Sequence, residues 1–223
     1  MRHLFYLIGK SATGKDTIYE ELLKDDSLRL SPLVPYTTRP IRAGEVDGQE
    51  YHFTDEAGYE KLQREGKVIE ARTYQTVLGP WTYFTVDDGS LSSDECQAGD
   101  RASAADSPKA ASGPEGGCAP VGDILGIGTL ESYVKLRDYY GKDRVIPLYI
   151  EVDDGLRLER ALKRERKPGN HKYEEMCRRF LADQADFSEE KLEAAGIVRR
   201  FNNDEDRSIC IGEVSDYIKA AGL

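Results

Sequence analysis

Leu4-Phe5-Tyr6-Leu7-Ile8-Gly9-Lys10-Ser11-Ala12-Thr13-Gly14-Lys15-Asp16-Thr17 lies near the front of the chain and decides its fold. Leu4 to Ile8 is a short apolar run of the kind that forms a buried parallel strand. Gly9 follows at once, and Gly14-Lys15 completes a Gly-x-x-x-x-Gly-Lys loop. Ile18, Leu22 and Leu23 then fall on one side of a helical pattern. Strand, glycine loop and helix together are the setting in which such a loop cradles polyphosphate. The glycines let backbone N–H groups curl inward. The helix start adds its positive end, and Lys15 brings a full charge to the outer phosphates. The whole run Gly9, Lys10, Ser11, Ala12, Thr13, Gly14, Lys15, Asp16 and Thr17 is therefore expected to bind a nucleoside triphosphate. Ser or Thr usually follows Gly-Lys and touches Mg²⁺ through its hydroxyl, but here Asp16 stands there, with Thr17 next. Two readings stay open for Asp16: it helps orient a hydrated ion, or it caps the helix.

A second stretch, Tyr36-Thr37-Thr38-Arg39-Pro40-Ile41-Arg42-Ala43-Gly44-Glu45-Val46-Asp47-Gly48-Gln49-Glu50-Tyr51-His52-Phe53, suits a smaller anion. Guanidinium forks bind phosphate bidentately. Arg39 and Arg42 stand three apart with Pro40 stiffening the backbone between them. Tyr51 adds a hydroxyl donor. Gly44 and Gly48 permit tight turns around Glu45, which can hold an arginine in place. The plainer alternative is a solvated loop with ordinary ion pairs.

The spacing Thr37-Thr38-Arg39-Pro40-x-Arg42-x-Gly44-Glu45-x-x-Gly48-x-x-Tyr51-x-Phe53 closely resembles the guanylate kinase signature. The resemblance implies an ATP-dependent nucleoside monophosphate kinase that uses Mg²⁺ with ATP and acts on GMP. It implies that Arg39, Arg42 and Tyr51 grip the GMP phosphate and that Glu70 reads the base. A carboxylate suits guanine, whose Watson–Crick edge offers two neighbouring donors. Tyr83 or Trp81 takes the place of a further phosphate-contacting tyrosine. Arg160 and Arg164, on one helical face, and Arg179 look like the arginines of a closing lid. Pro168-Gly169-Asn170 supplies the turn between its two helices. Asn203-Asp204 resembles the segment that borders the adenine of ATP, though an Asx turn explains it nearly as well.

Three positions depart from the resemblance. Pro35 stands where a base-contacting serine is usual. Leu78-Gly79-Pro80-Trp81-Thr82-Tyr83-Phe84 replaces a Tyr-Tyr-Gly-Ser/Thr loop. Leu125-Gly126-Ile127-Gly128-Thr129 lacks an Asp-x-Asp, leaving Asp16 to compensate near the metal and Thr129 or Glu131 near the base. Two further readings follow. One is a kinase for another monophosphate or small phosphate ester. The other is a non-catalytic guanylate-kinase-like module that binds phosphopeptides, in which the ATP loop is usually degraded.

At 223 residues one domain is expected. The formal charge of −10 argues against binding nucleic acid polymers or acidic membranes. No apolar run approaches the roughly 18 residues of a spanning helix, and the first eight residues are too short for a signal-peptide core. A cytoplasmic enzyme is expected, while oligomeric state is not legible. Cys96, Cys118, Cys177 and Cys210 show neither Cys-x-x-Cys nor zinc spacing and read as reduced thiols.

Strands and helices alternate, which predicts an α/β P-loop kinase fold: a parallel sheet flanked by helices, a small nucleotide-acceptor subdomain and a helical lid. The expected division is a core of 1–33, 124–155 and 180–223, an acceptor-binding part at 34–88, and a lid at 156–179. Thr54 is expected to cap a helix running to Arg64, followed by a strand from Val68 to Tyr74 and an irregular loop at Trp81. Further strands are expected at Ile124 to Gly128, at Val145 to Ile150 with Pro147 favouring an edge, and at Val198 to Phe201. A last helix is expected at Val214 to Ala221. Of the 33 residues from 89 to 121, twenty-one are Ala, Ser, Gly or Pro and none is aromatic. Such a segment buries too little surface to offset ordering and is read as a disordered insert.

Overall fold

Alternation along the first strand, β1 (Leu4–Ile8), builds two cores at once. Leu4, Tyr6 and Ile8 enter one apolar cluster, and Phe5 and Leu7 enter the other. That is what a strand buried on both faces must do. The computed structural model describes residues 2–76, 79–91, 122–167, 169 and 171–221.

The elements, in chain order, are β1, α1 (Lys15–Lys24), β2 (Ser31–Pro32), β3 (Tyr36–Thr37), β4 (His52–Phe53), α2 (Glu56–Arg64), β5 (Val68–Thr76), β6 (Gly79–Val86), β7 (Ile124–Ile127), α3 (Leu130–Tyr140), β8 (Val145–Glu151), α4 (Asp154–Glu165), α5 (Tyr173–Asp186), α6 (Glu189–Ala194), β9 (Arg200–Asn202) and α7 (Arg207–Ala221). The main sheet has the order β2-β7-β1-β8-β9 and is parallel throughout. α1 and α7 cover one face through Ile18, Leu22, Cys210, Val214 and Ile218. α3 covers the other through Leu130, Tyr133 and Leu136, joined by Phe187 and Leu192. A second sheet, β4-β3-β6-β5, is mixed and carries the acceptor-binding stretch.

Several expectations are corrected. Trp81 lies not in an irregular loop but in β6, paired opposite Tyr74 in an antiparallel ladder with β5; cross-strand pairing overrides the turn character of Gly79-Pro80. Asp55, not Thr54, caps α2, its carboxylate accepting from the Gly58 N–H. Val198 is 91% exposed and outside the sheet, which resumes at Arg200. β8 is an interior strand, and Pro147 is accommodated because β9 pairs only from Tyr149 onward. α7 starts seven residues earlier than expected, at Arg207. The short helix α6 was missed altogether.

Most of the expected insert, residues 92–121 with Cys96 and Cys118, lies outside the described residues. Its first part does not behave as linker. Leu91 is buried in the core, and Arg144 donates to its carbonyl at 2.9 Å. Arg2 donates both to the Ser90 carbonyl at 3.0 Å and to the Gly122 carbonyl, clasping the two described flanks together.

Candidate functional site

The glycine loop between β1 and α1 is shaped by contacts that only small residues allow. A Cβ on Gly9 would stand 2.6 Å from the Ile150 carbonyl oxygen of the neighbouring strand. Gly14 starts α1 with φ near +85°, a conformation that favours glycine. Thr13 closes the loop by donating from its hydroxyl to the Lys10 carbonyl at 2.9 Å. Buried Asn203 braces it from behind, its side-chain amide donating to the Thr13 carbonyl at 2.7 Å. Asn203 is therefore a strut of the loop in this structure.

The loop is also tied to the lid helices. Asp183 on α5 accepts from the Ser11 N–H at 2.8 Å and from Arg157 Nη2 at 2.8 Å. Arg157 on α4 is 1% exposed and donates from Nε to the Ser11 carbonyl at 3.0 Å. Lys10 turns the same way, toward Gln184 at 3.0 Å and Asp154 at 3.4 Å. Lys15 instead lines the cleft and has no ion pair among the described residues. Asp16 is exposed in the first turn of α1; since Gly14 occupies the cap position, Asp16 is not the helix cap.

In the second sheet, the two threonines place Arg39. Thr37 Oγ1 accepts from the Arg39 N–H at 3.1 Å and donates to the Thr82 carbonyl at 3.0 Å, and Thr38 Oγ1 accepts from the Thr82 N–H at 2.9 Å. Glu45 then holds the guanidinium bidentately, with Nη1···Oε2 at 3.0 Å and Nη2···Oε1 at 2.8 Å. This pairing raises the Arg39 pKa and lowers that of Glu45. Tyr51 and Phe53 lie against the Arg39 cation, each ring centre 5.5 Å away. Tyr83 is also hydrogen-bonded to it and meets Tyr51 and Tyr74 edge-on. The Arg42 side chain is exposed, and its backbone N–H donates to Glu45 at 2.7 Å.

A cavity of about 720 Å³ joins the two halves. It is lined by Gly9, Ser11 and Lys15 of the loop, by Arg72 and Tyr74 of β5, by Thr129 and α3, and by Asp183, Asp186 and Phe187. Arg39, Arg42 and Tyr51 are not among its lining residues; Tyr83 links them to it through its contact with Tyr74. Glu70 lies deeper, its side chain 1% exposed. Its Oε1 accepts from Thr85 at 2.9 Å, and its Oε2 accepts from Arg72 Nε at 3.2 Å and from Ser132 at 3.2 Å. Thr129 caps α3, and Glu131 pairs with Lys135 at 2.7 Å.

The arginines expected in a lid divide. Arg160 donates to the Asn203 and Asp204 carbonyls and so secures the loop that braces the phosphate loop. Arg164 is half exposed beside Glu165. Arg179 is 58% exposed and pairs with Glu175, which also receives a double hydrogen bond from Arg178. Hydrogen bonds from Arg178 and Arg179 hold the Glu175 carboxyl down at about 2.

Sequence reasoning missed Arg72 and Arg157. Period-two alternation from Glu70 would have placed Arg72 on the same face. Arg157, Ala161 and Glu165 mark the buried face of α4 at four-residue spacing, a pattern hidden because two of the three are charged.

The guanylate kinase family model matches residues 1–82. Over those residues the chain is similar to guanylate kinases. The guanylate kinase of Schizosaccharomyces pombe is 44% identical over 64 residues, covering 29% of this chain and 32% of that protein. The guanylate kinase of Chromobacterium violaceum is 36% identical over 84 residues, covering 35% and 39%. The chain thus spans about a third of the length of the curated relatives it matches. The crystal structure of guanylate kinase from Anaplasma phagocytophilum superposes with a TM-score of 0.55 at 18% identity, covering 100% of this chain and 87% of that one. That likeness shows that the fold, a parallel sheet flanked by helices, extends beyond residue 82, where the family-model match stops. The phosphate loop, Arg39, Arg42, Tyr51 and Glu70 fall inside the matched residues; Arg160, Arg164, Arg179 and Asn203 fall outside them.

Proposed function

We propose that this chain transfers the γ-phosphoryl group of ATP to GMP. The observation that carries the reading is the cavity with Lys15 and the glycine loop on one wall and the acceptor sheet on the other. Lys15 and the glycine loop form one anion cradle at the cavity; Arg39, Arg42 and Tyr51 form the other outside its lining, reached through Tyr83 and Tyr74, so closure of the cleft is what brings the two phosphorylated molecules together. Lys15 and the loop amides hold the ATP phosphates. Arg39, Arg42 and Tyr51 hold the GMP phosphate, with Glu45 fixing the Arg39 fork so that little ordering is left to do on binding. An oxygen of the GMP phosphate attacks Pγ in line, the bond from Pγ to the β,γ-bridging oxygen breaks, and ADP leaves. The acceptor oxygen is already anionic, so no histidine base is required. Catalysis is positioning plus charge stabilisation. Arg164 and Arg179, half exposed on the lid helices, spread over the charge when the lid closes, and Arg160 keeps the braced loop in place.

The residues fit Mg²⁺ carried by the nucleotide. Asp16 and Thr17 offer hard oxygen donors at the start of α1, and no group of three or more acidic, histidine or cysteine residues forms a cage among the described residues. That is the donor set for a largely hydrated ion. Bound there, Mg²⁺ would supply charge neutralisation to the phosphates. No helix among the described residues is long and apolar enough to cross a membrane.

The test is coupled measurement of ADP formation with GMP, dGMP, AMP, UMP and CMP. GMP is expected to give the highest kcat/KM. Lys15→Ala should lower kcat by about 10²–10³-fold or more with unchanged thermal unfolding. Retained turnover in that variant would remove the assignment. The panel also separates kinases of other monophosphates from a binding module that makes no ADP.

A further inference from the structure

We propose that Arg72, oriented by Glu70, reads the acceptor base, and that it selects an edge with two adjacent hydrogen-bond acceptors. This rests on the monophosphate kinase reading above. Glu70, Arg72 and Tyr74 alternate along β5, so all three belong to one face. A register shift between Val68 and Glu70 sets that alternation. Across the ladder stand Thr85, Tyr83 and Trp81. Arg72 and Tyr74 reach the cavity, while Glu70 does not line it.

Glu70 is spoken for. Both oxygens accept from the protein itself, and its side chain is almost wholly enclosed. What it does is hold the plane of Arg72. Nε donates to Glu70 at 3.2 Å, and Nη1 donates to Thr129 at 3.3 Å. A guanidinium has five N–H donors. The second proton of Nη1 and both of Nη2 are left for the cavity side.

The other acids at the cavity are paired as well. Asp183 accepts from Ser11 and Arg157, Glu131 pairs with Lys135, and Asp186 stands 3.8 Å from Lys191. The wall therefore presents donors, and a base edge that also presents donors is left unsatisfied there. A guanidinium fork matches two neighbouring acceptors, as N7 and O6 of guanine provide. N3 and O2 of cytosine share that chemistry. Adenine sets its amino group beside N7, and uracil sets N3–H beside O4; each turns one donor against another.

Three measurements test this. First, GMP and 7-deaza-GMP, which lacks the N7 acceptor, are compared with the wild-type protein. The analogue should have kcat/KM lower by about tenfold or more, carried mainly by KM, and a weaker binding isotherm. Equal constants and equal binding for the two nucleotides would overturn the proposal. Second, Arg72→Lys keeps a cation beside Glu70 but loses the fork. Its thermal unfolding should stay close to wild type while the discrimination between GMP and its analogue disappears; discrimination retained in this variant would also overturn the proposal. Third, CMP is included in binding and turnover. CMP bound as well as GMP, with AMP and UMP far weaker, supports an acceptor pair shared by both bases; AMP or UMP bound as tightly as GMP sinks it. Binding is read separately from turnover. A protein that makes no ADP yet discriminates in the isotherm loses the kinase assignment and keeps this one.

Discussion

At the scale of single residues, Tyr6 explains the two glycines that break the family pattern. Its ring fills the space beside β7. A Cβ on Gly126 would stand 2.6 Å from Tyr6 Cδ2, and one on Gly128 would stand 2.1 Å from the Tyr6 hydroxyl. No carboxylate fits at either place while Tyr6 is there. Burial, reinforced by the Glu70 charge, pushes the Tyr6 hydroxyl pKa up, so it stays protonated and can bond Ser132. Gly128→Ala is expected to destabilise the fold by about 1–3 kcal/mol through overpacking. In a Tyr6→Phe background the loss should be smaller, because the nearest clashing atom is gone. A double-mutant cycle by urea unfolding measures the coupling; strictly additive losses would count against this account.

At the scale of elements, α4 and α5 are held to the phosphate loop through one buried cation. Arg157 touches the Ser11 carbonyl, Asp154 and Asp183, and its guanidinium lies 4.9 Å from the Phe180 ring centre. Removing it strands Asp183 and leaves the Ser11 carbonyl without its donor. Arg157→Ala should cost about 3 kcal/mol in chemical unfolding and raise KM for ATP, since the loop loses a support. Unchanged stability would mean that the apolar contacts and the remaining Ser11–Asp183 and Lys10 hydrogen bonds hold the helices without it. The lid arginines contrast with this buried cation. Arg179 is paired to Glu175 within one helix turn, an exposed interaction of small worth, so the proposed exchange for a phosphate would cost little.

At the scale of the whole molecule, the parallel sheet separates two apolar cores, and the cleft opens between α3 and the second sheet. Cys210 reports on the integrity of the core beneath α7. It is fully buried, and desolvation pushes its thiol up to about 11, with Glu213 adding to the shift. At pH 8 it is therefore a protonated, inaccessible thiol, whereas Cys177 on α5 is exposed. Peptide mapping after iodoacetamide treatment of the native protein should find Cys177 alkylated and Cys210 untouched, with Cys210 reacting only in denaturant. Rapid native labelling of Cys210 would show that α7 opens far more readily than its packing implies.

The parts legible in the sequence are those whose chemistry is carried by near neighbours. The glycine loop needs residues 9 to 17 and the strand and helix that flank them. The Arg39–Glu45 clamp spans six residues and the threonine lock sits next to it, so spacing alone exposed that Glu45 could hold an arginine. What stayed hidden was set by partners far along the chain. Asp183 meets Ser11 across 172 positions, Asn203 meets Thr13 across 190, and Ser132 meets Glu70 across 62. Local pattern says that a carboxylate is present, but not whether its oxygens are already taken. The sequence by itself determined the α/β frame and the two segments, a glycine loop and an arginine-bearing stretch, that are proposed to bind phosphate. The tertiary structure decided which polar groups face the cleft, because only packing brings distant donors to Glu70 and leaves Arg72 lining the cavity.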